Sequence, residues 1–263
     1  MSSDPLRLGR GVRAWYAPIS DLAAAEMTHA RLPWLSTDER ARYDRFRADA
    51  DRQMFLLGRI MARALVGAAL GIAPGAWRWG EGPRGRPEIA SPSTALRFNL
   101  AHSSGLVACA LGFDREVGID VEDLQRLPVD VDVVRRYCSA GEVADIERHG
   151  DRWHDRFLHY WTLKESYLKA RGLGIALPLE QVAFRLEAGR APRLCLEGAL
   201  AAGDQARWTF AFARPTDRHL LAVAASTGDG EPPNITVERL TGYLPPTRQT
   251  WAAGFSPPHS PPA

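Results

Sequence analysis

The sequence predicts an α+β protein made of two similar lobes in one chain, with the cleft between the lobes as the natural ligand site. Two observations support this expectation. Segments with strand-like alternation occur between segments with helical periodicity. The order strand, short helix, long helix and hairpin occurs twice, about 100 residues apart. With 263 residues the chain can bury a sizeable core. We therefore expect one lobe in residues 1–114 and a second in residues 115–228.

The first lobe is expected to open with a strand in "GVRAWYAPI". Ser36 and Glu39 in "STDER" have the spacing of a capping box, so a short helix should follow through "ERARYDRF". The longer helix "DRQMFLLGRIMARALVGAALG" should end at Gly71, and Pro74 favours the stop. The stretch "FNLAHSSGLVACAL" alternates on both sides of a break at residues 103–105, which predicts a hairpin.

The second lobe repeats this order. The stretch "VGIDVE" predicts a strand, and Ser139 with Glu142 forms a second capping-box pattern. A short helix should end near Gly150, and a long helix that contains "FLHYWTLKESYLKARG" should end at Gly172. The stretches "VAFRLEAGRAPRLCLEG" and "WTFAFARPTDRHLLAVAAS" predict paired strands.

The C-terminal residues have a different composition. Residues 229–263 contain eight of the nineteen prolines in the chain. A segment of this composition buries little apolar surface. We therefore expect a disordered tail that has no chemical role.

Composition and charge exclude several classes of protein. The net charge of +2 does not provide the basic surface that nucleic acids require, so no nucleic-acid partner is expected. The three cysteines are widely spaced, which disfavours a disulfide framework and favours a reducing compartment. The N-terminus lacks a signal-like apolar core, and we expect no apolar run near the roughly 18 residues of a membrane span. The sequence thus predicts a cytoplasmic protein that does not associate with membranes.

Common nucleotide and hydrolase motifs give no function for this chain. The stretch "GEGPRG" matches GxGxxG, but Pro83 lies inside it and "RPE" follows where a helix should begin. This context argues against dinucleotide binding. The sequence contains no HExxH, GxSxG or GxxxxGK[ST] pattern, so zinc proteases, α/β-hydrolases and P-loop proteins lose their main support.

Three carboxylates indicate a magnesium site. Asp120 and Glu122 share one face of the strand "VGIDVED", although a strand with one solvated face is the simpler alternative. Glu165 lies on the apolar side of its helix, where an ion pair with Lys169, four residues on, is again the simpler alternative. A cation shared by all three carboxylates would relieve their repulsion and explain the position of Glu165. Magnesium prefers such hard oxygen ligands.

Several basic side chains are candidates for phosphate binding. Arg84 and Arg86 flank Gly85 in a turn, where a guanidinium group can hold a phosphate through two hydrogen bonds. His102 ends the strand "FNLAH", where a structural role is the alternative, and Arg42 lies on the early helix, where solvated surface is the alternative. Carboxylates, cations and a cleft together suit a metal-assisted reaction on a phosphate ester or anhydride.

The motifs "RGRP", "FNLAHS", "GIDVE" and "WTLKESYLKARGLGI" occur in this order along the chain. With them, residues 36–184, and more loosely the chain to residue 225, closely resemble the Sfp-type 4'-phosphopantetheinyl transferases. The resemblance implies a pseudo-dimer of two α+β lobes in one chain, usually monomeric. It also implies an activity, the transfer of 4'-phosphopantetheine from coenzyme A to a serine of an apo acyl or peptidyl carrier protein. Adenosine 3',5'-bisphosphate is then released.

The resemblance also assigns residues by motif position. It places magnesium, for which manganese could substitute, at Asp120, Glu122 and Glu165. Glu165 becomes the favoured general base, directly or through water, and Lys169 a contact of the coenzyme A phosphates. The other candidate contacts of coenzyme A are Arg42, Arg84, Arg86, Asn99, His102 and Lys164. Ala101 stands where many relatives carry serine, so one side-chain contact to phosphate is expected to be missing.

Two other classes of protein remain open at this point. A magnesium-dependent phosphohydrolase acting on nucleotides could use the same carboxylates with water as the nucleophile. A non-catalytic module that binds carrier proteins could keep the fold without the chemistry, although such a module has no need for a costly cluster of carboxylates. Covalent modification of a carrier protein would separate the transferase from both alternatives.

Overall fold

The computed structural model describes residue 6 and residues 8–21, 31–127, 129–174, 177–200, 207–228 and 231–240. These residues form an α+β fold, as the sequence predicts. The elements of the first half are β1 (Val12–Pro18), α1 (Thr37–Arg45), α2 (Asp49–Leu70), β2 (Arg78–Glu81), β3 (Pro87–Ser91), β4 (Leu96–Ser103) and β5 (Leu106–Phe113). Those that follow are β6 (Val117–Asp123), α3 (Val131–Tyr137), α4 (Ala140–Glu147), α5 (Trp153–Arg171), β7 (Val182–Arg185), β8 (Arg193–Leu196), β9 (Trp208–Thr216), β10 (His219–Ser226) and β11 (Ile235–Arg239).

The geometry of the helix caps confirms the predicted helix boundaries. The Ser36 hydroxyl accepts a hydrogen bond from the Glu39 amide at 3.3 Å, and the Glu39 carboxylate accepts one from the Ser36 amide at 2.8 Å. Ser139 and Glu142 form the same reciprocal pair at the start of α4. At the other end of α5, Gly172 has a φ of 61°, in the left-handed region that favours glycine.

The two larger sheets each contain three antiparallel strands in the same order. In the first sheet β1 pairs with β5, which pairs with β4; in the second sheet β6 pairs with β10, which pairs with β9. A small hairpin follows the long helix of each half, β2–β3 after α2 and β7–β8 after α5. The predicted recurrence of strand, short helix, long helix and hairpin is thus confirmed.

The C-terminal region contains a strand, which corrects the expectation that a disordered tail begins at residue 229. β11 runs parallel to β1 and extends the first sheet. The Val12 amide donates to the Asn234 carbonyl oxygen at 2.9 Å, and the Leu240 amide donates to the Tyr16 carbonyl oxygen at 2.8 Å. Leu240 also packs against the core of the first half. The rest of the predicted tail, from residue 241, lies outside the described residues.

α2 is the long core helix of the first half and ends at Gly71, as predicted. By length and composition alone α2 could cross a membrane, so the expectation that the chain has no such apolar run was wrong. In the fold, however, 67% of the most apolar 18-residue stretch of this helix is buried. Arg63, near its middle, is buried and donates from Nε to the Glu39 carboxylate at 3.0 Å. Burial and this ion pair indicate that α2 is part of a protein core.

The two halves meet along β4, β6 and α5. A buried apolar cluster that includes Val12, Leu106, Ile119 and Val223 contains residues of both sheets. The Asn99 side-chain oxygen on β4 accepts a hydrogen bond from the Ile119 amide on β6 at 3.0 Å. These contacts place the motifs "FNLAHS", "GIDVE" and "WTLKESYLKARG" next to one another in space.

Candidate functional site

A pocket of about 230 Å³ lies where β4, the β2–β3 turn and the C-terminal half of α5 meet. Residues of both halves of the chain line it. They are Arg84, Gly85, Arg86, Pro87, Asn99, Leu100, Glu165, Leu168, Lys169, Gly172 and Gly174. The pocket therefore brings together five of the side chains that the sequence singled out.

Glu165 and Lys169 face this pocket from α5, where their spacing of four residues places them on one face of the helix. Glu165 is partly buried. Burial raises the pKa of its carboxyl group; the charge of Lys169 opposes this rise, and that of Glu122 adds to it. The ion pair of Lys169 is made to Asp120, with Nζ 2.6 Å from Oδ1, rather than to Glu165.

Asp120 projects from β6 and is only 6% exposed. Burial raises the pKa of its carboxyl group to about 7, even though Lys169 favours the charged form, and the charges of Glu122 and Glu165 contribute to the rise. Its second oxygen, Oδ2, is buried and has no hydrogen-bond partner among the residues that the structure describes. Such an unpaired buried carboxylate oxygen is costly to the fold, and it is free to bind a ligand.

Glu122 lies two residues further along β6, so its side chain projects from the same side of the strand as Asp120. It is partly buried, with 13% of its side chain exposed. Its Oε2 accepts a hydrogen bond from Nη1 of Arg126 at 2.8 Å. Each carboxylate of the "GIDVE" strand is therefore paired with one basic side chain.

Arg86 connects the β2–β3 turn to the end of α5. Its Nη1 donates to the carbonyl oxygen of Ala170 at 2.7 Å, and its side chain occupies the space beside Gly172. Arg84 is exposed in the same turn, with a φ of 57°. The stretch "GEGPRG" thus forms the β2–β3 hairpin, which agrees with the prediction that it is not a dinucleotide-binding loop.

Three further candidates differ in their relation to the pocket. Asn99 is buried and lines it. His102 is exposed at the end of β4, and its pKa is lowered by partial desolvation and by the charge of Lys169. Arg42 is exposed on α1, with its guanidinium group 5.3 Å from the centre of the Phe55 ring. His102 and Arg42 lie outside the pocket lining, so their contacts to a donor stay predictions.

Lys164 occupies a different place from the one that the sequence led us to expect. It is fully buried, and its ammonium group donates to the carbonyl oxygens of Leu179 at 2.7 Å and Val182 at 2.8 Å. The same group lies 2.7 Å from the carboxylate of Glu142. These contacts contradict the assignment of Lys164 to coenzyme A, because the side chain points into the core of the second half.

The comparisons with known proteins agree with this arrangement of motifs. The 4'-phosphopantetheinyl transferase HetI of Nostoc sp. is 33% identical over 195 residues, which cover 73% of this chain and 78% of that protein. This chain belongs to the 4'-phosphopantetheinyl transferase family. The family described as the 4'-phosphopantetheinyl transferase superfamily matches residues 116–224, and the one described as 4'-phosphopantetheinyl transferase, N-terminal, matches residues 23–112.

Other relatives match over similar ranges. A phosphopantetheinyl transferase of Thraustochytrium sp. is 32% identical over 88% of this chain and 85% of that protein. The 4'-phosphopantetheinyl transferase Sfp of Bacillus subtilis is 31% identical over 59% of this chain and 68% of that protein. The crystal structure of Thermotoga maritima holo-[acyl-carrier-protein] synthase aligns with 42% of this chain and 62% of that one, with 25% identity and a TM-score of 0.36. The identities to the curated relatives confirm the sequence resemblance to the family.

The magnesium ion that the 4'-phosphopantetheinyl transferase family implies fits the carboxylate side of this pocket. Asp120 has a buried oxygen with no hydrogen-bond partner among the described residues, and Glu122 and Glu165 are close enough for their charges to raise its pKa. Among the described residues, however, no three such side chains are already arranged as ligands of a metal ion. Lys169 and Arg126 form the ion pairs of Asp120 and Glu122.

Arg126 is a residue beside this candidate site that the sequence analysis missed. Its spacing of four residues from Glu122 could have indicated the pair if the segment after β6 had been recognised as a turn. The turn is closed by a hydrogen bond from the Arg126 amide to the Asp123 carbonyl oxygen at 3.1 Å. The Asp123 carboxylate accepts a second bond, from the Gln125 amide at 2.9 Å. An aspartate at the start of such a turn is a recognisable local signal.

Proposed function

We propose that this chain transfers the 4'-phosphopantetheine group from coenzyme A to a serine of an apo acyl or peptidyl carrier protein, with magnesium. The main observation is that Glu165 and Lys169 line one pocket with the Arg84–Arg86 turn, beside the unpaired oxygen of Asp120. Carboxylates on one side and cations on the other suit a phosphoanhydride. The 33% identity to the HetI transferase over 78% of that protein supports the same reaction.

The proposed reaction attacks the β-phosphorus of the coenzyme A anhydride. The serine oxygen bonds to this phosphorus while the bond to the departing oxygen of adenosine 3',5'-bisphosphate breaks. Glu165 accepts the serine proton as the new bond forms. Lys169 and Arg86 stabilise negative charge on the phosphate oxygens. No covalent intermediate with the protein is needed.

Asp120, Glu122 and Glu165 would hold the magnesium ion. When bound, the ion stabilises the charge that develops on the phosphate oxygens. Asp120 and Glu122 lie on β6 and Glu165 lies on α5, so the distance between these carboxylates depends on how closely β6 packs against α5. The pocket volume of about 230 Å³ is small for a whole coenzyme A molecule, so we assign this pocket to the phosphates.

The wider arrangement follows the family. The shared strand order of the two sheets supports a pseudo-dimer of two lobes, residues 1–114 and 115–228, with the active-site cleft between them. β11 belongs to the first sheet although it follows the second lobe in the chain. We also propose a cytoplasmic monomer. Cys109, Cys138 and Cys195 are all free thiols, which supports a reducing compartment.

The test is to incubate the full chain with coenzyme A, magnesium and an apo carrier protein, and to weigh the carrier by mass spectrometry. A gain of one phosphopantetheine group is expected, together with release of adenosine 3',5'-bisphosphate. Glu165→Gln should remove most of this gain, whereas Glu180→Gln, at an exposed carboxylate, should not. Nucleotide release without carrier modification would indicate a phosphohydrolase instead. Binding of the carrier without either product would indicate a non-catalytic module.

A further inference from the structure

Asp120 and Glu122 of β6 are each paired with one basic side chain that comes from outside this strand. Lys169 on α5 lies 2.6 Å from Asp120, and Arg126 in the turn after β6 lies 2.8 Å from Glu122. The two cations differ in one respect. Lys169 lines the phosphate pocket, whereas Arg126 belongs to the turn beyond the strand. Arg126 therefore has an electrostatic contact with the site but no place at its phosphate end.

The position of Arg126 is set by its own backbone. The hydrogen bonds of the turn hold residues 123–126, so the guanidinium group reaches back one turn to Glu122. The Arg126 side chain is 35% exposed, so its hydration changes little when the ion pair with Glu122 breaks or forms again. A partly exposed arginine can exchange such an ion pair for water more readily than a fully buried one.

Other basic groups close to Glu122 do not replace Arg126. His154, on the first turn of α5, is within electrostatic range of both Glu122 and Arg126. Burial, followed by the charge of Arg126, lowers the pKa of His154, so the ring is neutral near pH 7. Lys169 is engaged with Asp120. In the part of the chain that the structure describes, Arg126 is thus the side chain that forms an ion pair with Glu122.

We propose that Arg126 is a positioning residue that sets the cation affinity of the site, because it competes with the divalent cation for the carboxylate of Glu122. The identity of this cation site rests on the proposed function. A divalent cation that binds Oε2 of Glu122 displaces the Arg126 guanidinium group from that oxygen, and the lost ion pair reduces the net gain in free energy of cation binding. Lys169 is displaced from Asp120 in the same exchange and becomes available to the phosphates.

The test measures cation binding directly, in the full chain without coenzyme A. Mn²⁺ is titrated into the protein, and free Mn²⁺ is followed by its electron paramagnetic resonance signal. Arg126→Met should bind Mn²⁺ about three- to tenfold more tightly than the unchanged protein, since the competing charge is gone. Arg126→Lys should restore an affinity near the original, because lysine can compete in the same way.

Arg135→Met is the matched control. Arg135 is exposed on α3, and its loss changes the net charge by the same amount without removing an ion pair to Glu122. It should change the affinity for Mn²⁺ by less than about twofold, because exposed charges are screened. Thermal unfolding of each variant shows that it is folded. Should Arg126→Met fail to fold, Arg126→Gln takes its place with the same expected result.

Unchanged or weaker Mn²⁺ binding by Arg126→Met would overturn the proposal, as would an equal gain in Arg135→Met. Absence of Mn²⁺ binding by the unchanged protein would overturn it as well. The carrier-modification assay answers the separate question of the reaction. If the Mn²⁺ affinities of the variants follow the expected order but no carrier is modified, Arg126 competes with the cation but the proposed transferase function is wrong. If carriers are modified but the order is absent, only the competition fails.

Discussion

Gly118 of β6 lies so close to α5 that the carbonyl oxygen of Ser166 fills the space in which a side chain of residue 118 would begin. The backbone of Ala170 borders the same space. Only a residue without a Cβ atom permits this approach. The contact keeps Asp120, two residues along β6, within reach of Lys169 on α5. Gly118 thus determines the spacing between β6, which carries Asp120, and α5, which carries Lys169.

Gly118→Ala is expected to push β6 and α5 apart and to impair transfer more than stability. Overpacking of a buried position typically costs about 1–3 kcal/mol, whereas a displacement of the catalytic groups by an ångström can reduce a rate by about a hundredfold. Urea unfolding measures the first effect, and the rate of carrier modification measures the second. In Gly58→Ala, the matched control in α2, the new Cβ would lie 3.9 Å from Val107. The control should keep its rate of transfer and lose no stability, because alanine favours a helix more than glycine does. Normal transfer by Gly118→Ala would contradict this account.

The buried pair of Lys164 and Glu142 leads to a second prediction. Lys164→Met leaves the Glu142 carboxylate buried without its cation, so the free energy of unfolding should fall by about 3–5 kcal/mol. The Michaelis constant for coenzyme A should stay unchanged in the folded enzyme, because Lys164 points away from the pocket. The double variant with Glu142→Gln should recover part of the lost stability. A raised Michaelis constant without loss of stability would return Lys164 to the coenzyme A site.

The sequence could predict that Glu165 and Lys169 share one face of α5, but not that Lys164 is buried in the core. Glu165 and Lys169 occupy motif positions one turn apart, so they share a helix face whatever packs around them. Lys164, one residue before Glu165, points about 100° away from it. Whether the Lys164 side chain contacts a ligand or the core depends on which segments pack beside it. In this fold residues 179 and 182 supply the carbonyl oxygens that accept hydrogen bonds from its ammonium group. That partner is a tertiary contact, which a local pattern does not encode.

β11 was missed for a related reason. The stretch "NITVERL" alternates like a strand, but it stands among prolines, and an average over residues 229–263 conceals it. Its pairing with β1 joins the two ends of the described chain. The helix caps at Ser36 and Ser139, in contrast, could be predicted because all their hydrogen bonds are made within four residues.

Arg86 should be more sensitive to substitution than other arginines of the first half. Its guanidinium group bonds to the Ala170 carbonyl oxygen while it lines the phosphate pocket. Lysine cannot provide the same planar fork, so Arg86→Lys should raise the Michaelis constant for coenzyme A by about tenfold or more. Arg97→Lys, at an exposed arginine on β4, is the control and should have little effect. Equal Michaelis constants in the two variants would show that Arg86 only supports the turn.

The raised pKa of Asp120 leads to a prediction about pH. Its carboxyl group has a pKa of about 7 in the fold, against about 3.9 in an unfolded chain. Between these values the folded protein binds more protons than the unfolded one. The contribution of Asp120 to the free energy of unfolding therefore falls as pH rises from about 4 to about 7. Asp120→Asn removes this contribution, so its stability relative to the unchanged protein should rise over the same interval.

Cation binding should follow the opposite trend, because Mn²⁺ and Mg²⁺ bind the deprotonated carboxylate. Affinity should rise as pH increases through about 7, whereas a carboxylate with its ordinary pKa would already be fully ionised there. Urea unfolding and Mn²⁺ titration across this interval test both trends. Asp44→Asn, at an exposed carboxylate on α1, corrects for the loss of one negative charge. An affinity for Mn²⁺ that does not change between about pH 6 and about pH 8 would show that Asp120 does not control the cation site through its proton.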